Sequence, residues 1–195
     1  MHGLPIIHVR TGPVVGLDSW IKRAFDLVVA SIVLVFAAPV MLVCAALVKM
    51  SSPGPVFYGQ ERMGLDGHIF KMLKFRSMPT NVEAKSGAVW AKSGENRATP
   101  FGQFMRKYSL DELPQFLNVL RGDMSLVGPR PERPVFIEQF KHKIPRYNLR
   151  HKMKAGITGL AQVEGWRVDT DLEKPVVRDL HYIENCSLWL DCKIV

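Results

Sequence analysis

Asp111 and Glu112 stand side by side in the stretch YSLDELPQFLNVLRGDMSLVGPRPE, residues 108–132. Two adjacent carboxylates can share a hard divalent cation and still leave one oxygen free to attack phosphorus. The cations that phosphate chemistry needs are near in sequence. Arg106 precedes Asp111 by five residues, and Arg130 sits between Pro129 and Pro131 after the turn residues Gly122 and Gly128. Arginine's planar fork matches phosphate oxygens, and a proline-fixed backbone lowers the entropy lost in presenting it. A purely structural reading also exists. Ser109-x-x-Glu112 matches a capping box, with Asp111 a favourable charge at a helix N-terminus. Pro114 strains that box, because the fifth helical residue should donate a hydrogen bond, so the helix start is expected later.

These groups need a frame, and composition bounds it. The 195 residues are 23% charged and 47% hydrophobic, the profile of a folded chain with room for one domain plus a membrane segment. Against 18 Asp+Glu stand 26 Lys+Arg, a balance that calls for an anionic partner: a phosphate ligand, anionic lipid or nucleic acid. The cysteines Cys44, Cys186 and Cys192 are odd in number and lack metal-ligand spacing, which argues against a disulfide framework and a zinc site and fits a reduced, cytosol-facing chain. A nucleic-acid partner is the weaker expectation, since the chain shows no zinc-finger spacing or RNA-recognition aromatic motif and a membrane-type run lies near its start.

That run, LVVASIVLVFAAPVMLVCAALV from Leu27 to Val48, has no charge and is long enough as a helix to cross a hydrocarbon core of about 30 Å. Pro39 near its middle predicts a kink, giving either a kinked single span or a re-entrant helix that dips in and returns. Basic residues flank both ends: Arg10, Lys22 and Arg23 before it, Lys49, Arg62, Lys71, Lys74 and Arg76 after it, which favours both ends on one face. Lys22 and Arg23 could grip lipid phosphates at the interface or simply snorkel.

After the turn cluster Ser51-Ser52-Pro53-Gly54-Pro55, VFYGQERMG and HIFKMLKF flank Leu65-Asp66-Gly67 and predict a β-hairpin. Residues 79–98 predict a mobile or solvated loop. Thr99-Pro100 predicts a helix start, with Phe101, Phe104, Met105 and Tyr108 on one side. Leu110, Leu113, Phe116, Leu117 and Leu120 continue an amphipathic pattern, and further helices are expected around Pro134–Lys143 and from Pro175 onward.

Several motifs now fall in one order: KRAFD at 22–26, the proline-containing apolar run, KFRSM at 74–78, SLDELPQFLNVLRGDMSLVGPRP at 109–131 and AGITGLAQVEG at 155–165. Together they closely resemble the bacterial sugar transferases, the polyprenyl-phosphate phosphoglycosyl transferases of the monotopic type, over about residues 20–195. The resemblance implies an α+β fold, with an N-terminal re-entrant membrane helix, a small β-hairpin and several amphipathic interfacial helices forming one compact catalytic domain. It implies a linker from a preceding domain at 1–20, the re-entrant helix at 21–50, bent at Pro39, and a cytoplasmic catalytic domain at 51–195.

The activity so implied is transfer of a sugar 1-phosphate from a UDP-sugar to undecaprenyl phosphate at the cytoplasmic face of the bacterial inner membrane, releasing UMP. Such a step opens the assembly of exopolysaccharide, lipopolysaccharide or capsule. On the family pattern Asp111 is the nucleophile and Glu112 its partner. Both would bind Mg2+, with Mn2+ also suited, while Arg106, Arg130 and Lys74 bind substrate phosphate, and Lys22, Arg23 and Pro39 serve the membrane helix and phospholipid. A homo-oligomer is compatible with the chain. The alternative is a non-catalytic single-pass membrane protein with a basic anion-binding module. Ala38 stands where many members have serine, and Lys154-Ala155-Gly156 and Gly159-Leu160 replace the frequent R-P-G and G-W. The lead GLPIIHVRTGP and the end at LDCKIV suggest the C-terminal catalytic part of a larger member. The identity of the sugar is not written in these motifs.

Overall fold

The computed structural model describes residues 17–80, 98–166 and 173–195. The predicted 79–98 loop and 1–20 linker therefore lie almost wholly outside the described residues. Helix α1, Leu17–Ser51, is followed by the hairpin strands β1, Phe57–Met63, and β2, Ile69–Phe75. Next come α2, Pro100–Lys107, α3, Gln115–Arg121, and the short strand β3, Ser125–Val127. Helix α4, Pro134–Lys141, strand β4, Gly156–Thr158, and helices α5, Leu160–Val163, α6, Glu173–Asn185, and α7, Leu188–Ile194, complete the order. Among the described residues the result is a mixed fold of helices and two small sheets with one long apolar helix at its start.

Helix α1 carries the whole apolar run and ends where the Ser-Ser-Pro-Gly-Pro cluster begins. Its 35 residues amount to roughly 52 Å at 1.5 Å per residue, enough by length and composition to cross a membrane. Pro39 lies inside it, and the helical stretch continues past the proline to Ser51 rather than breaking there. The two ends of α1 are tied to the rest of the chain by different chemistry. At the N-terminal end Asp26, buried, accepts from Ser125 Oγ at 2.8 Å and from the Leu126 amide at 3.1 Å, and Ala30 enters the main core. At the C-terminal end Cys44 and Val48 pack with Phe75 and Met105. There Arg76 donates to the Ser52 and Pro53 carbonyls at 2.6 and 2.9 Å, closing the end of the helix. Between these anchors, residues 31–43 include no buried side chain, and Val35 and Phe36 are 71% and 79% exposed.

The hairpin forms where alternation and the Leu65-Asp66-Gly67 turn predict it, with Phe57 opposite Phe75 and Met63 opposite Ile69. The parallel pairing of β3 with β4, Ser125 opposite Gly156 and Val127 opposite Thr158, was not anticipated, because three residues are too few to show a period. Glycine makes this contact possible. A Cβ on Gly156 would collide with the Gly128 backbone, and one on Gly128 with the Lys154 carbonyl.

One buried side chain joins the hairpin to α3. Asn118 accepts from the Leu73 amide and donates to the Lys71 carbonyl, both at 2.9 Å, so its amide acts as a one-residue extension of the sheet beside β2. It also donates to Asp123 at 3.1 Å. Asn118→Ala leaves these strand groups unpaired, and the expected loss is about 2–4 kcal/mol of stability, seen as a lower thermal midpoint. An unchanged midpoint would show that Asn118 does not hold the hairpin.

Candidate active site

Helix α2 starts as predicted: the Thr99 hydroxyl accepts from the Gly102 amide at 3.0 Å, and Pro100 occupies the first turn, where a missing N–H costs nothing. Eight residues later it ends, carrying Arg106 in its last turn. The chain then reverses through Ser109, whose φ of 55° is left-handed, into a single 3-10 turn at Leu110–Glu112. The capping-box reading is thereby corrected. Ser109 makes no side-chain cap, and the Glu112 carboxylate points away to partners on other elements. The following helix begins only at Gln115, after Pro114, as the missing amide requires.

Three distant stretches converge at Glu112. Lys74, near the end of β2, donates to Glu112 Oε1 at 2.7 Å, and Arg130 donates to the same oxygen at 3.1 Å. Burial alone would raise the Glu112 pKa, yet Arg130 and Lys74 together hold it down at about 2. Glu112 is therefore ionised throughout the working pH range. Asp111 is buried, at 6% exposure, and burial pushes its carboxyl above the ordinary aspartate value against the pull of Lys74 and Arg106. Burial also lowers the Lys74 ammonium, with Glu112 opposing. Two neighbouring carboxyls thus have pKa values driven apart, the pattern of a pair with separate chemical duties.

Of the residues singled out from sequence, Asp111, Glu112, Lys74 and Arg130 form one cluster. Arg106 joins it electrostatically and is steadied by its Nε donating to Ser77 Oγ at 2.9 Å. Lys22, Arg23 and Pro39 lie elsewhere. Lys22 turns inward, buried, and pairs with Asp191 at 2.6 Å, while Arg23 donates to the Val119 and Leu120 carbonyls at 2.6 and 3.0 Å at the end of α3. The Lys22 ammonium is thus taken up by protein acceptors, while half-buried Arg23 spends one bond from each of two guanidinium nitrogens on the end of α3. Pro39 is exposed in the apolar middle of α1.

Sequence reading missed the layer behind Arg130. Arg150 and Asp179, each 4% exposed, pair at 2.7 Å, and Arg62 lies 3.5 Å from buried Glu132. Asp179 had left one sign, an acid on the apolar stripe of Val176, Leu180 and Ile183; Arg150 was hidden in a basic run.

Among the described residues no group of three metal-ligating side chains occurs. Magnesium does not need one: it commonly takes one or two carboxylates and fills its remaining positions with water and substrate phosphate, so Asp111 and Glu112 suit it as a donor pair.

The family model described as bacterial sugar transferase matches residues 17–195. The UDP-glucose:undecaprenyl-phosphate glucose-1-phosphate transferase of Escherichia coli (strain K12) is 47% identical over 199 residues, covering 100% of this chain and 43% of the relative. The UDP-N-acetylgalactosamine-undecaprenyl-phosphate N-acetylgalactosaminephosphotransferase of Aeromonas hydrophila is 47% identical over 179 residues, covering 91% of this chain and 42% of the relative. The chain spans less than half the length of these two relatives. With a family match over nearly all of its length and the acidic pair, the lysine and the proline-flanked arginine gathered at one place, the chain belongs to the bacterial sugar transferase family.

Proposed function

We propose that this chain transfers a sugar 1-phosphate from a UDP-sugar to undecaprenyl phosphate through a phosphosugar-aspartyl intermediate, with release of UMP. The observation that carries this reading is the geometry at the dyad: Asp111 is buried beside Glu112, whose Oε1 meets Lys74 at 2.7 Å and Arg130 at 3.1 Å, and burial pushes the Asp111 carboxyl up while the two cations hold Glu112 ionised. A more basic carboxylate is a better nucleophile once its proton is gone.

In the first step an Asp111 carboxylate oxygen attacks the sugar-bearing phosphorus. A bond forms between that oxygen and phosphorus, the bond from phosphorus to the bridging oxygen breaks, and UMP leaves with the bridging oxygen and its electron pair. In the second step an oxygen of undecaprenyl phosphate attacks the same phosphorus and the Asp111 oxygen departs as carboxylate, which restores the enzyme. Arg130, Lys74 and Arg106 face the diphosphate and offset its charge as the leaving group develops. Magnesium held by Asp111 and Glu112 supplies further charge neutralisation when bound. Glu112 keeps Lys74 and Arg130 oriented toward the dyad.

The same reading places α1 as a re-entrant helix in the inner membrane, with the remaining described domain at the cytoplasmic face. Support comes from the anchoring of α1: Asp26 at one end and Val48 at the other are both held by one domain, which cannot lie on two sides of a bilayer, while the exposed apolar middle is left for lipid. The sugar is the open part of the proposal, since the relatives' names include both glucose and N-acetylgalactosamine.

Asp111→Asn should abolish UMP release with the fold intact, against a loss of about 0.3–1 kcal/mol in stability alone for a helix-end charge. Arg130→Lys should lose most turnover although charge is kept, because the bidentate fork is gone. Normal turnover by either purified variant contradicts the assigned role.

The pH dependence has a definite order. Asp111, with its pKa raised, takes up its proton first as pH falls, and single-turnover UMP release should disappear. The Glu112 ion pairs contribute stability that is complete above about 4.5 and lost only as pH falls through about 2. Activity should therefore vanish while the dyad's ion pairs are intact; unfolding that precedes or coincides with the loss contradicts this order. For topology, Asp18→Cys and Ser51→Cys should both resist a membrane-impermeant thiol reagent added from the periplasmic side, and labelling of either one defeats the re-entrant placement.

A further inference from the structure

The Arg130 side chain is 43% exposed, so its aim depends on how firmly its backbone is held. Pro129 and Pro131 have no N–H, and the segment must be fastened largely through its carbonyls. They are captured nearly one by one. The Val127 carbonyl accepts from Lys22 and Tyr182, both at 3.3 Å, and the Pro129 carbonyl from the Gly156 amide at 3.0 Å. The Pro131 carbonyl accepts from Arg62 at 3.0 Å and the Glu132 carbonyl from the Met63 amide at 3.0 Å. The carbonyl of Arg130 itself accepts from Arg150 Nη2 at 3.2 Å.

Arg150 is built for one orientation. Its Nε donates to Asp179 Oδ2 at 2.8 Å, its Nη1 to the Tyr147 hydroxyl at 3.1 Å, and its Nη2 lies 2.7 Å from Asp179 as well as bonding the Arg130 carbonyl. A buried ion pair is a poor source of stability, since apolar residues of similar volume often do as well or better. What apolar residues could not do is hand a donor to a proline-flanked carbonyl.

We propose that Arg150, oriented by Asp179 and Tyr147, is a positioning residue that fixes the backbone of Arg130 and thereby the aim of its guanidinium at the substrate phosphate. Through Asp179 this makes α6 a support of the phosphate-binding segment. The inference rests on the reading of Arg130 as a phosphate-binding residue, and the two can fail separately.

The test is a double-mutant cycle in the purified full chain, measuring kcat/KM for UMP release with undecaprenyl phosphate as acceptor from UDP-glucose or UDP-N-acetylgalactosamine, whichever the unaltered chain turns over faster. Arg150→Lys keeps the charge and can still meet Asp179, but one nitrogen cannot serve all three acceptors. It should lower kcat/KM about tenfold when Arg130 is present and by less than about twofold in an Arg130→Ala background. Its effect on the thermal midpoint should be the same in both backgrounds, which separates positioning from general support of the fold. An equal loss of kcat/KM in both backgrounds, or no loss in either, overturns the positioning role. Full activity of Arg130→Ala alone overturns the reading of Arg130 and the positioning role with it. If Arg150→Lys shows no cooperative melting, Tyr147→Phe takes its place in the cycle, removing only the hydroxyl that Nη1 meets. A loss of about two- to threefold confined to the Arg130-containing background supports the role, and a background-independent effect overturns it.

Discussion

Glu112 is the point on which the described site turns. One carboxylate oxygen receives Lys74 from the hairpin and Arg130 from the proline-flanked segment, so three stretches, 38 and 18 residues from Glu112 on either side, are tied at a single atom. The tie works because the site is partly withdrawn from water. Charge interactions weaken steeply with effective dielectric, and the same contacts on an open surface would do little to orient anything. The acid beside it has the opposite fate. Asp111 is buried without so close a cationic partner, and its proton affinity rises. A fixed anion next to a more basic one follows from where the chain places the two cations, and the proposed division between an organising Glu112 and a nucleophilic Asp111 rests on this asymmetry.

The rest of the molecule serves that convergence. Asn118 ties the hairpin to α3, the helix that follows the dyad; Gly128 and Gly156 let the two segments behind Arg130 approach at backbone distance; and Arg150 reaches the Arg130 carbonyl from α6's side. The N-terminal part of α1 belongs to the same framework. Its Lys22 bonds the Val127 carbonyl, three residues from Arg130, and its Asp26 pairs with β3. The apolar helix is thus joined by polar contacts to the strand that leads into the Arg130 segment.

Much of this was legible in the residues. The hairpin followed from alternation around a Leu-Asp-Gly turn, α2 from Thr-Pro capping, and the long helix from an uncharged run. The dyad and its cations came from residue type, adjacency and ordered motifs. What could not be read had physical reasons. The capping-box pattern at Ser109–Glu112 was a true local option that lost to tertiary ion pairs, because Lys74 and Arg130 offer Glu112 more than a single amide does. Lys22 and Arg23 resembled interfacial cations, yet their partners, Asp191 and the end of α3, are remote in sequence. The β3–β4 pairing is too short for a period, and the Arg150–Asp179 pair announces itself only through one acid on an apolar stripe.

The central claim is that Asp111 forms a covalent bond to phosphorus. Incubating the purified chain with magnesium and a UDP-sugar labelled in the sugar, without lipid acceptor, and then mapping peptides by mass spectrometry tests it most directly. The account predicts that the peptide containing Asp111 gains the mass of a sugar phosphate, one equivalent of UMP appears per active chain, and adding undecaprenyl phosphate discharges the label. Label on another residue, or turnover with no labelled peptide and no lipid-free UMP release, would contradict it.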